Sequence, residues 1–353
     1  MSETKGTILV TGANGGLGSA IVQRIVASAE LARYHGLYAV RSDSSSSCST
    51  LKSILASAAD NVSNHDVIPL DLSSLDSVRR TAASINARVA AGEIPPIRVL
   101  ILNAGLQEYD QQHWLSEEEG GLDLTFAANY LGHWLLTLLL LQSMDKERGR
   151  IVVIGSQSHD TLDKRNYSSK AFVEEPYKAF VHDPANIEAI TKGTWSPTTE
   201  DPFFRAGFRR YGASKLFLVM IINSLQARLD RDAALNKICV LGVDPGTMTT
   251  GLQRDAPWII RVLLFRFVYP LMQWMYPNGN GRSTDRSAGD VLTAAFDNGP
   301  GIGKEPKGVY LLGAEPFEMS EEARDATKRQ WVWDESVKLT GLKDDETVLT
   351  EWR

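Results

Sequence analysis

Two side chains that can move a proton lie about one helical turn apart in this sequence. Tyr211 and Lys215 stand at positions i and i+4 of the segment Tyr-Gly-Ala-Ser-Lys, and this spacing places both on one face of a helix. An ammonium beside a phenol favours the phenolate, so we expect the pKa of Tyr211 to fall below its ordinary value of about 10. The pair predicts general acid–base chemistry centred on Tyr211.

A glycine-rich segment near the N-terminus predicts a dinucleotide site. Residues 11–18 read Thr-Gly-Ala-Asn-Gly-Gly-Leu-Gly, directly after the apolar run Thr7–Val10 and directly before a helical pattern. Glycine is needed here because the turn requires unusual backbone angles and because the backbone must approach a pyrophosphate at the helix N-terminus. The order of strand, turn and helix favours a phosphate cradle over a purely structural turn.

The end of the second predicted strand bears on which dinucleotide is bound. An acidic residue there would accept hydrogen bonds from the ribose hydroxyls of NAD, but Val40 occupies the place and Arg41 follows. A guanidinium matches a phosphate in charge and in fork geometry, so Arg41 favours NADP with its 2′-phosphate. The alternative is that Arg41 is a solvated loop charge.

Apolar runs alternate with helical patterns along most of the chain, which indicates βαβ units and a parallel sheet. The predicted strands are Thr7–Val10, Gly36–Val40, Asp66–Leu70, Ile97–Leu102, Arg150–Gly155, Lys237–Val243 and Gly308–Leu312. The predicted helices are Leu17–Glu30, Leu75–Ala91, Leu122–Met144, Tyr211–Arg231 and Arg286–Asn298. We expect an α/β fold, Rossmann-like and doubly wound, with a seven-stranded parallel sheet flanked by helices.

Four regions do not fit the repeating unit. Within a single domain spanning 1–315, we expect a serine-rich loop at Ser42–Thr50, an irregular insertion at 157–208 and an apolar substrate lid at 247–278. Residues 316–353 form a helical extension that carries three tryptophans and is expected to pack across the core. Long insertions inside compact domains are usually functional.

Composition excludes several classes of function. The net charge of -6 provides no large positive field for nucleic acid. The two cysteines, Cys48 and Cys239, form no metal-binding cluster and indicate a reducing compartment, so we expect no metal site. The short polar segment before Thr7 cannot hold a secretory signal. These features together predict a cytoplasmic protein.

Two apolar stretches raise the question of a membrane. Leu131–Met144 is expected to be too short to span one. Trp258–Tyr276 contains two arginines and a proline, which favours a substrate lid or peripheral membrane contact over a span. Its alternative is an ordinary core helix.

The motifs and their order resemble the short-chain dehydrogenase/reductase family. The glycines have the spacing TGxxxGxG, and Leu-Asp-Leu, Asn-Ala-Gly, Tyr-x-x-x-Lys and Pro-Gly follow in the family's order. The resemblance covers about Thr7 to Leu312, excluding the insertion. It implies NADP(H) contacts from Gly12, Asn14, Gly16, Leu17, Gly18, Arg41, Asp71, Asn103, Ala104, Gly105, Tyr211, Lys215, Pro245, Gly246 and Thr247.

The same resemblance implies the catalytic roles. Tyr211 would protonate a carbonyl oxygen as hydride arrives from NADPH, and Lys215 would also hold the nicotinamide ribose. Ser156 would hydrogen-bond the substrate oxygen, with Ser158 as the competing assignment. Asn129 would hold a water that relays protons to Lys215. His133 is interpreted as a packed helix histidine rather than a catalyst.

One departure from the family concerns spacing. Ser156 and Tyr211 are 55 residues apart, far more than is usual in the family, so the insertion must loop out beside the active site if the two are to meet. It would then shape the pocket, or the chemistry differs from plain carbonyl reduction.

These features predict an NADPH-dependent reductase of a ketone or aldehyde on a bulky hydrophobic substrate, such as a sterol, terpenoid, polyketide or other secondary metabolite. The chain is loosely similar to retinol-dehydrogenase-like, protochlorophyllide-reductase-like, sterol 3-keto reductase-like and fungal biosynthetic reductases. The alternatives are a biosynthetic enzyme with a non-redox or combined step, such as isomerisation or cyclisation, and a nucleotide-sensing scaffold. The apolar helices 122–144 and 211–231 form a candidate homodimer interface.

Overall fold

A computed structural model of the chain describes residues 5–42, 48–57, 65–201, 203–248, 281–299 and 301–353. Its strands are β1 Thr7–Thr11, β2 His35–Val40, β3 His65–Pro69, β4 Ile97–Leu102, β5 Arg150–Ile154, β6 Cys239–Asp244, β7 Tyr310–Leu312 and β8 Glu315–Pro316. Its helices are α1 Gly16–Ala27, α2 Ser49–Ser57, α3 Leu75–Ala90, α4 Leu124–Phe126, α5 Gly132–Leu140, α6 Pro184–Thr191, α7 Arg205–Leu229, α8 Thr284–Phe296, α9 Glu321–Arg324 and α10 Ala326–Thr340. The lid predicted at 247–278 lies almost entirely outside the described residues.

The strands form one sheet in the order β3-β2-β1-β4-β5-β6-β7-β8. Strands β1 to β7 pair in parallel, and β8 pairs antiparallel with β7. The predicted doubly wound fold is confirmed. The sheet has eight strands rather than seven, because the two residues of β8 are too few to show any alternation in sequence.

Alternate residues of the strands pack into two apolar layers, one on each face of the sheet. Ile8 and Val10 of β1 pack with α1, α2 and α8, whereas Leu9 packs on the other side with α3, α5 and α7. Because both faces are covered, the inner strands are buried at every residue, as is usual for parallel sheets. The sheet therefore holds its carboxyl edge, where β1, β4, β5 and β6 end, in a rigid arrangement.

The segment that joins β4 to β5 contains an irregular helix. Between α4 and α5, residues Ala127–Leu131 form a π-helix. The helical run Leu124–Ser143 is long and apolar enough to cross a membrane, but 89% of its apolar window is buried inside the protein. The stretch Leu131–Met144, predicted to be too short to span a membrane, overlaps most of this longer run, and burial is the feature that identifies the run as a core helix.

Two predicted loops contain regular structure. The insertion at 157–208 was expected to be irregular, yet it contains α6 and three short 3₁₀ helices, and its last residues belong to α7, which begins at Arg205 rather than Tyr211. The serine-rich loop overlaps α2, which begins at Ser49. In both regions local propensity is weak, and packing against the core decides the conformation.

The C-terminal extension packs on the helices of one face. In α10, Trp333 contacts the ring of Trp134 in α5 at 5.1 Å, and Thr347 donates a hydrogen bond to the carbonyl of Leu138. Helix α10 also packs on α6 and α7. The homodimer predicted through 122–144 and 211–231 stays a prediction, and it would have to use the part of those helices that α10 leaves uncovered.

Candidate active site

A cavity of about 1300 Å³ opens at the carboxyl edge of the sheet. It lies where β1 and β4 adjoin and the strand order reverses, which is the position at which ligands bind in open α/β sheets. Pockets for one small ligand measure about 300–1,000 Å³, so this cavity has room for a dinucleotide and a substrate together. Every residue predicted to contact the cofactor lines it.

The glycine segment forms a close-fitting cradle at one end of the cavity. Gly12 has a φ of 65°, and a Cβ atom there would lie 2.8 Å from Cα of Ala104. At Gly18 a Cβ atom would lie 2.1 Å from the carbonyl oxygen of Gly12. Helix α1 begins at Gly16 without a side-chain cap or an acidic residue in its first turn. Its N–H groups can therefore receive the pyrophosphate of a dinucleotide, and the residues present fit that group.

A buried threonine joins this cradle to the Asn-Ala-Gly segment. Oγ1 of Thr11 accepts hydrogen bonds from the backbone N–H groups of Asn103 and Ala104, at 2.9 and 3.0 Å. The hydroxyl of Thr11 donates to Nε2 of His133 at 2.9 Å. On the other side of the ring, Nδ1–H of His133 donates to the carbonyl of Asn129. Burial lowers the pKa of His133 to about 4, so the ring is neutral and packed, as predicted.

Two side chains predicted to contact the adenosine half of the cofactor differ in how firmly the protein holds them. Arg41 is exposed beside the end of β2 and lines the cavity. Asp71 is fixed, because its Oδ1 accepts hydrogen bonds from the backbone N–H and the hydroxyl of Ser73, at 3.0 and 2.6 Å. Arg41 therefore faces the cavity from an exposed position, whereas Asp71 is already oriented by the protein.

Tyr211, on α7, faces the end of β5. Its phenol hydrogen-bonds Ser156, which lines the cavity, whereas Ser158 is fully buried and does not. Oγ of Ser158 donates to Oγ of Ser156 at 3.0 Å. Of the two competing serines, Ser156 is therefore the one placed to meet a substrate.

Lys215 follows one turn later on the same face of α7. Its Nζ lies 5.7 Å from the centre of the Tyr211 ring and donates to the carbonyl of Ile154 at 2.9 Å. Burial lowers the pKa of Lys215 to about 8, opposed by the nearby carboxylate of Asp244. The ammonium is thus close to its titration range at neutral pH.

The expected lowering of the Tyr211 pKa was wrong. Burial raises the pKa of Tyr211 well above its ordinary value, and the hydrogen bond with Ser156 opposes this. Lys215 directs its ammonium to a backbone carbonyl instead of the phenol oxygen. Tyr211 is therefore protonated at neutral pH, as a proton donor must be.

Asn129 lies behind the cavity rather than on its wall. Its side chain accepts from the N–H of Leu106 at 2.8 Å and donates to the carbonyl of Leu106 and to Oγ of Ser214, at 2.9 and 3.0 Å. These bonds fix the backbone directly after the Asn-Ala-Gly segment. The relay water assigned to Asn129 stays a prediction.

A stripe of side chains along α7 contains pocket residues that sequence reasoning missed. Phe204 and Phe208 line the cavity together with Tyr211 and Lys215, at successive spacings of four, three and four residues, which define one helical face. The signal was present, but the predicted helix began at Tyr211. The other missed lining residues include Leu106, Gln107, Tyr109, Leu124, Ala128, Arg165, Asn166, Ser168, Ser169, Phe203, Asp244 and Met248.

The arrangement of these residues is typical of a dinucleotide-dependent oxidoreductase. Comparison with known proteins identifies the family. The family model described as short chain dehydrogenase matches residues 6–189. A protein of Talaromyces variabilis named short-chain dehydrogenase iccH is 42% identical over 99% of both chains. The chain therefore belongs to the short-chain dehydrogenase family, as predicted, and is an oxidoreductase.

More distant relatives share most of the chain. The chloroplastic protochlorophyllide reductase of Cucumis sativus is 29% identical over 96% of this chain and 78% of its own. The polyprenol dehydrogenase of Mus musculus is 28% identical over 81% of this chain and 71% of its own. Among solved structures, the angucycline C-6 ketoreductase LanV with bound NADP has a TM-score of 0.56 and 16% identity, covering 89% of this chain and 95% of that one. That likeness concerns the fold.

Proposed function

We propose that this protein uses NADPH to reduce a ketone or aldehyde on a bulky hydrophobic secondary metabolite. The observation that carries the proposal is the meeting of Ser156, Tyr211 and Lys215 at one wall of a cavity large enough for two ligands. The relatives named for protochlorophyllide and polyprenol support a bulky hydrophobic substrate.

The proposed mechanism assigns one task to each side chain. NADPH, when bound, supplies the hydride that the carbonyl carbon receives. The hydroxyl of Ser156 orients the carbonyl oxygen, and the phenol of Tyr211 transfers its proton to that oxygen as negative charge develops there. The ammonium of Lys215 then stabilises the phenolate left on Tyr211.

Aromatic side chains line the part of the cavity that we assign to the substrate, and they support an apolar ligand. Phe203, Phe204 and Phe208 come from the end of the insertion and the start of α7, and Tyr109 comes from the loop after β4. Rings of this kind bind flat or branched hydrocarbon surfaces through burial of apolar area. The lid predicted at 258–276, the peripheral membrane contact and the cytoplasmic location stay predictions.

The test of the proposed chemistry is a comparison of wild type with Tyr211→Phe. The variant keeps the ring but loses the transferable proton, so turnover should fall by roughly 10²–10⁴-fold while NADPH still binds. Consumption of NADPH at 340 nm is followed with a panel of hydrophobic ketones and aldehydes, and NADPH affinity is measured by fluorescence titration.

Three outcomes would count against the proposal. Near-normal turnover in Tyr211→Phe would remove Tyr211 from the chemistry. Product formed without consumption of NADPH would indicate a non-redox step such as isomerisation or cyclisation. Binding of NADPH without turnover of any carbonyl compound would favour a nucleotide-sensing role.

A further inference from the structure

A buried cluster of three charged side chains joins the insertion to the core beside the cavity. Arg165 lies in the short 3₁₀ helix Lys164–Ser169 of the insertion. Its Nη2 lies 2.6 Å from Oδ2 of Asp163 and 3.0 Å from Oδ2 of Asp244. The side chains of Arg165, Asp163 and Asp244 are 12%, 10% and 2% exposed. One guanidinium therefore pairs with two carboxylates, one from the insertion and one from the sheet.

Asp244 has a second task at the same place. It is the last residue of β6, and its Oδ1 accepts a hydrogen bond from the N–H of Gly246 at 2.9 Å. The turn Pro245-Gly246 lines the cavity and was predicted to contact the cofactor. One carboxylate thus orients that turn with one oxygen and holds the insertion with the other.

The residues that follow Arg165 form part of the cavity wall. Residues 165–169, here called the inner segment, contribute Arg165, Asn166, Ser168 and Ser169 to the lining. Asn166 adds hydrogen bonds from its Nδ2 to the carbonyls of Gln157 and Asp160, at 3.0 and 2.8 Å, but these partners belong to the insertion itself. In the part of the chain that the structure describes, the pair with Asp244 ties the inner segment to a strand of the sheet, and the guanidinium of Arg165 also lies 5.6 Å from the centre of the Phe317 ring, just after β8.

We propose that Arg165 is a positioning residue that fixes the inner segment to the turn after β6 and so sets the width of the substrate end of the cavity. Both carboxylates lie where water is scarce, so loss of the guanidinium leaves unpaired buried charge, which strongly disfavours the closed arrangement. The inner segment then moves away from Asp244. The proposal rests on the proposed function only in taking the ligand at this wall to be the substrate.

Hydrogen exchange tests the link without any substrate. In Asp244→Asn the sequence of the inner segment is unchanged, so faster exchange at residues 165–169 reports its release; we expect acceleration of about tenfold, for the loss of one charged interaction. Lys178→Met is the control, because its ion pair with Glu175 is exposed and lies elsewhere in the insertion. Exchange at 165–169 equal to wild type in Asp244→Asn would overturn the proposal.

Kinetics distinguish positioning from a general loss of folded protein. With 9,10-phenanthrenequinone as a flat dicarbonyl probe, Arg165→Met should raise the KM for the quinone about tenfold, with NADPH affinity within about twofold of wild type. Arg165→Lys keeps the charge but loses the fork geometry, so it should restore part of the KM. A fall in kcat alone, with wild-type KM, would indicate partial unfolding and contradict the positioning role.

The two kinds of failure can be separated. If wild type binds NADPH but reduces no carbonyl compound, the proposed function fails, and the exchange experiment still decides the role of Arg165. If Arg165→Met does not fold, Asp244→Asn and Arg165→Lys carry the same comparison, with melting temperature as the check of folding.

Discussion

Lys215 is a residue of the candidate active site whose charge should respond to pH near neutrality. Because burial lowers its pKa to about 8, about nine in ten ammonium groups are charged at pH 7 and about one in ten at pH 9. The charged form binds the ribose in the proposed complex, so NADPH affinity should fall as the pH rises through 8. We expect roughly a tenfold larger Kd at pH 9 than at pH 7.

The measurement is a fluorescence titration of NADPH across this pH range in wild type and Lys215→Met. The variant has no group that titrates at this position, so its weaker affinity should not change between pH 7 and 9. A wild-type Kd that is constant over the range would contradict the assignment of Lys215 to the cofactor.

Arg41 should decide the choice between NADPH and NADH. Arg41→Asp replaces a phosphate partner with a repulsive carboxylate, so NADPH affinity should fall tenfold or more, since a charged hydrogen bond contributes roughly 1.5–3 kcal/mol. NADH affinity should stay the same or improve. Arg33→Asp is a matched control, because Arg33 is exposed and precedes β2, away from the cavity. Equal NADPH affinity in wild type and Arg41→Asp would leave Arg41 as a solvated charge.

At the scale of residues, the spacing of motifs in the sequence predicted where the side chains lie better than it predicted their pKa values. The glycine segment, Asn103 to Gly105, Tyr211 and Lys215 all line the cavity, because each motif is tied to the end of a strand or the face of a helix. The predicted direction of the Tyr211 pKa shift was wrong. Burial raises this pKa, and burial depends on every element packed around the phenol rather than on the spacing of four residues between Tyr211 and Lys215.

At the scale of elements, α7 joins the chemistry to the substrate wall. Phe204 and Phe208 continue the face of Tyr211 and Lys215 toward the helix N-terminus. Phe204→Ala should raise the KM for a bulky carbonyl compound about tenfold or more, because burying such a side chain contributes about 1.5–3 kcal/mol. NADPH affinity should be unchanged, since Phe204 is not among the residues predicted to contact the cofactor.

Phe296→Ala is the matched control for this prediction. Phe296 is partly buried on α8 and packs against Tyr34, outside the residues that line the cavity. Its loss should lower the melting temperature without changing the substrate KM. A Phe204→Ala enzyme with wild-type KM would remove Phe204 from the substrate wall.

The elements that the sequence did not predict share a physical cause. The first turns of α7 contain Gly207 and three arginines but no acidic residue and no side-chain cap, and positive charge at a helix N-terminus opposes the helix dipole. Their conformation is stabilised by tertiary contacts: Arg210 is buried, pairs with Asp123 at 3.1 Å and donates to the carbonyls of Ser196 and Gln111. A helix held by such long-range contacts cannot be delimited from a window of neighbouring residues.

At the scale of the whole molecule, the C-terminal extension completes the core. Trp333 is 2% exposed and contacts Trp134. The guanidinium of Arg228 lies 3.9 Å from the centre of the Trp333 ring, and Nε1 of Trp333 donates to the carbonyl of Trp352 at 2.6 Å. Trp333→Ala should cost about 3–5 kcal/mol of unfolding free energy and lower the melting temperature by roughly 4–7 °C for a chain of this length.

The control is Trp114→Ala, since Trp114 is 52% exposed and its loss should change the melting temperature far less. Differential scanning calorimetry measures both variants, and light scattering records their mass and that of wild type. A Trp333→Ala protein as stable as wild type would show that the packing of Trp333 does not stabilise the core. A wild-type mass of two chains would support the predicted homodimer.

The position of α10 after the strands of the sheet also affects the order in which the protein can fold during synthesis. Helices α5 and α7 are made well before their covering residues, and 33 residues from Glu321 to Arg353 remain to be added after β8 and its following loop. At about 5–20 residues per second, their translation takes about 2–7 seconds. Throughout that time the apolar side chains of α5 stay accessible to other nascent chains and to chaperones, so a ribosome that stalls between Glu321 and Arg353 would hold a chain whose α5 and α7 lack the cover of α10.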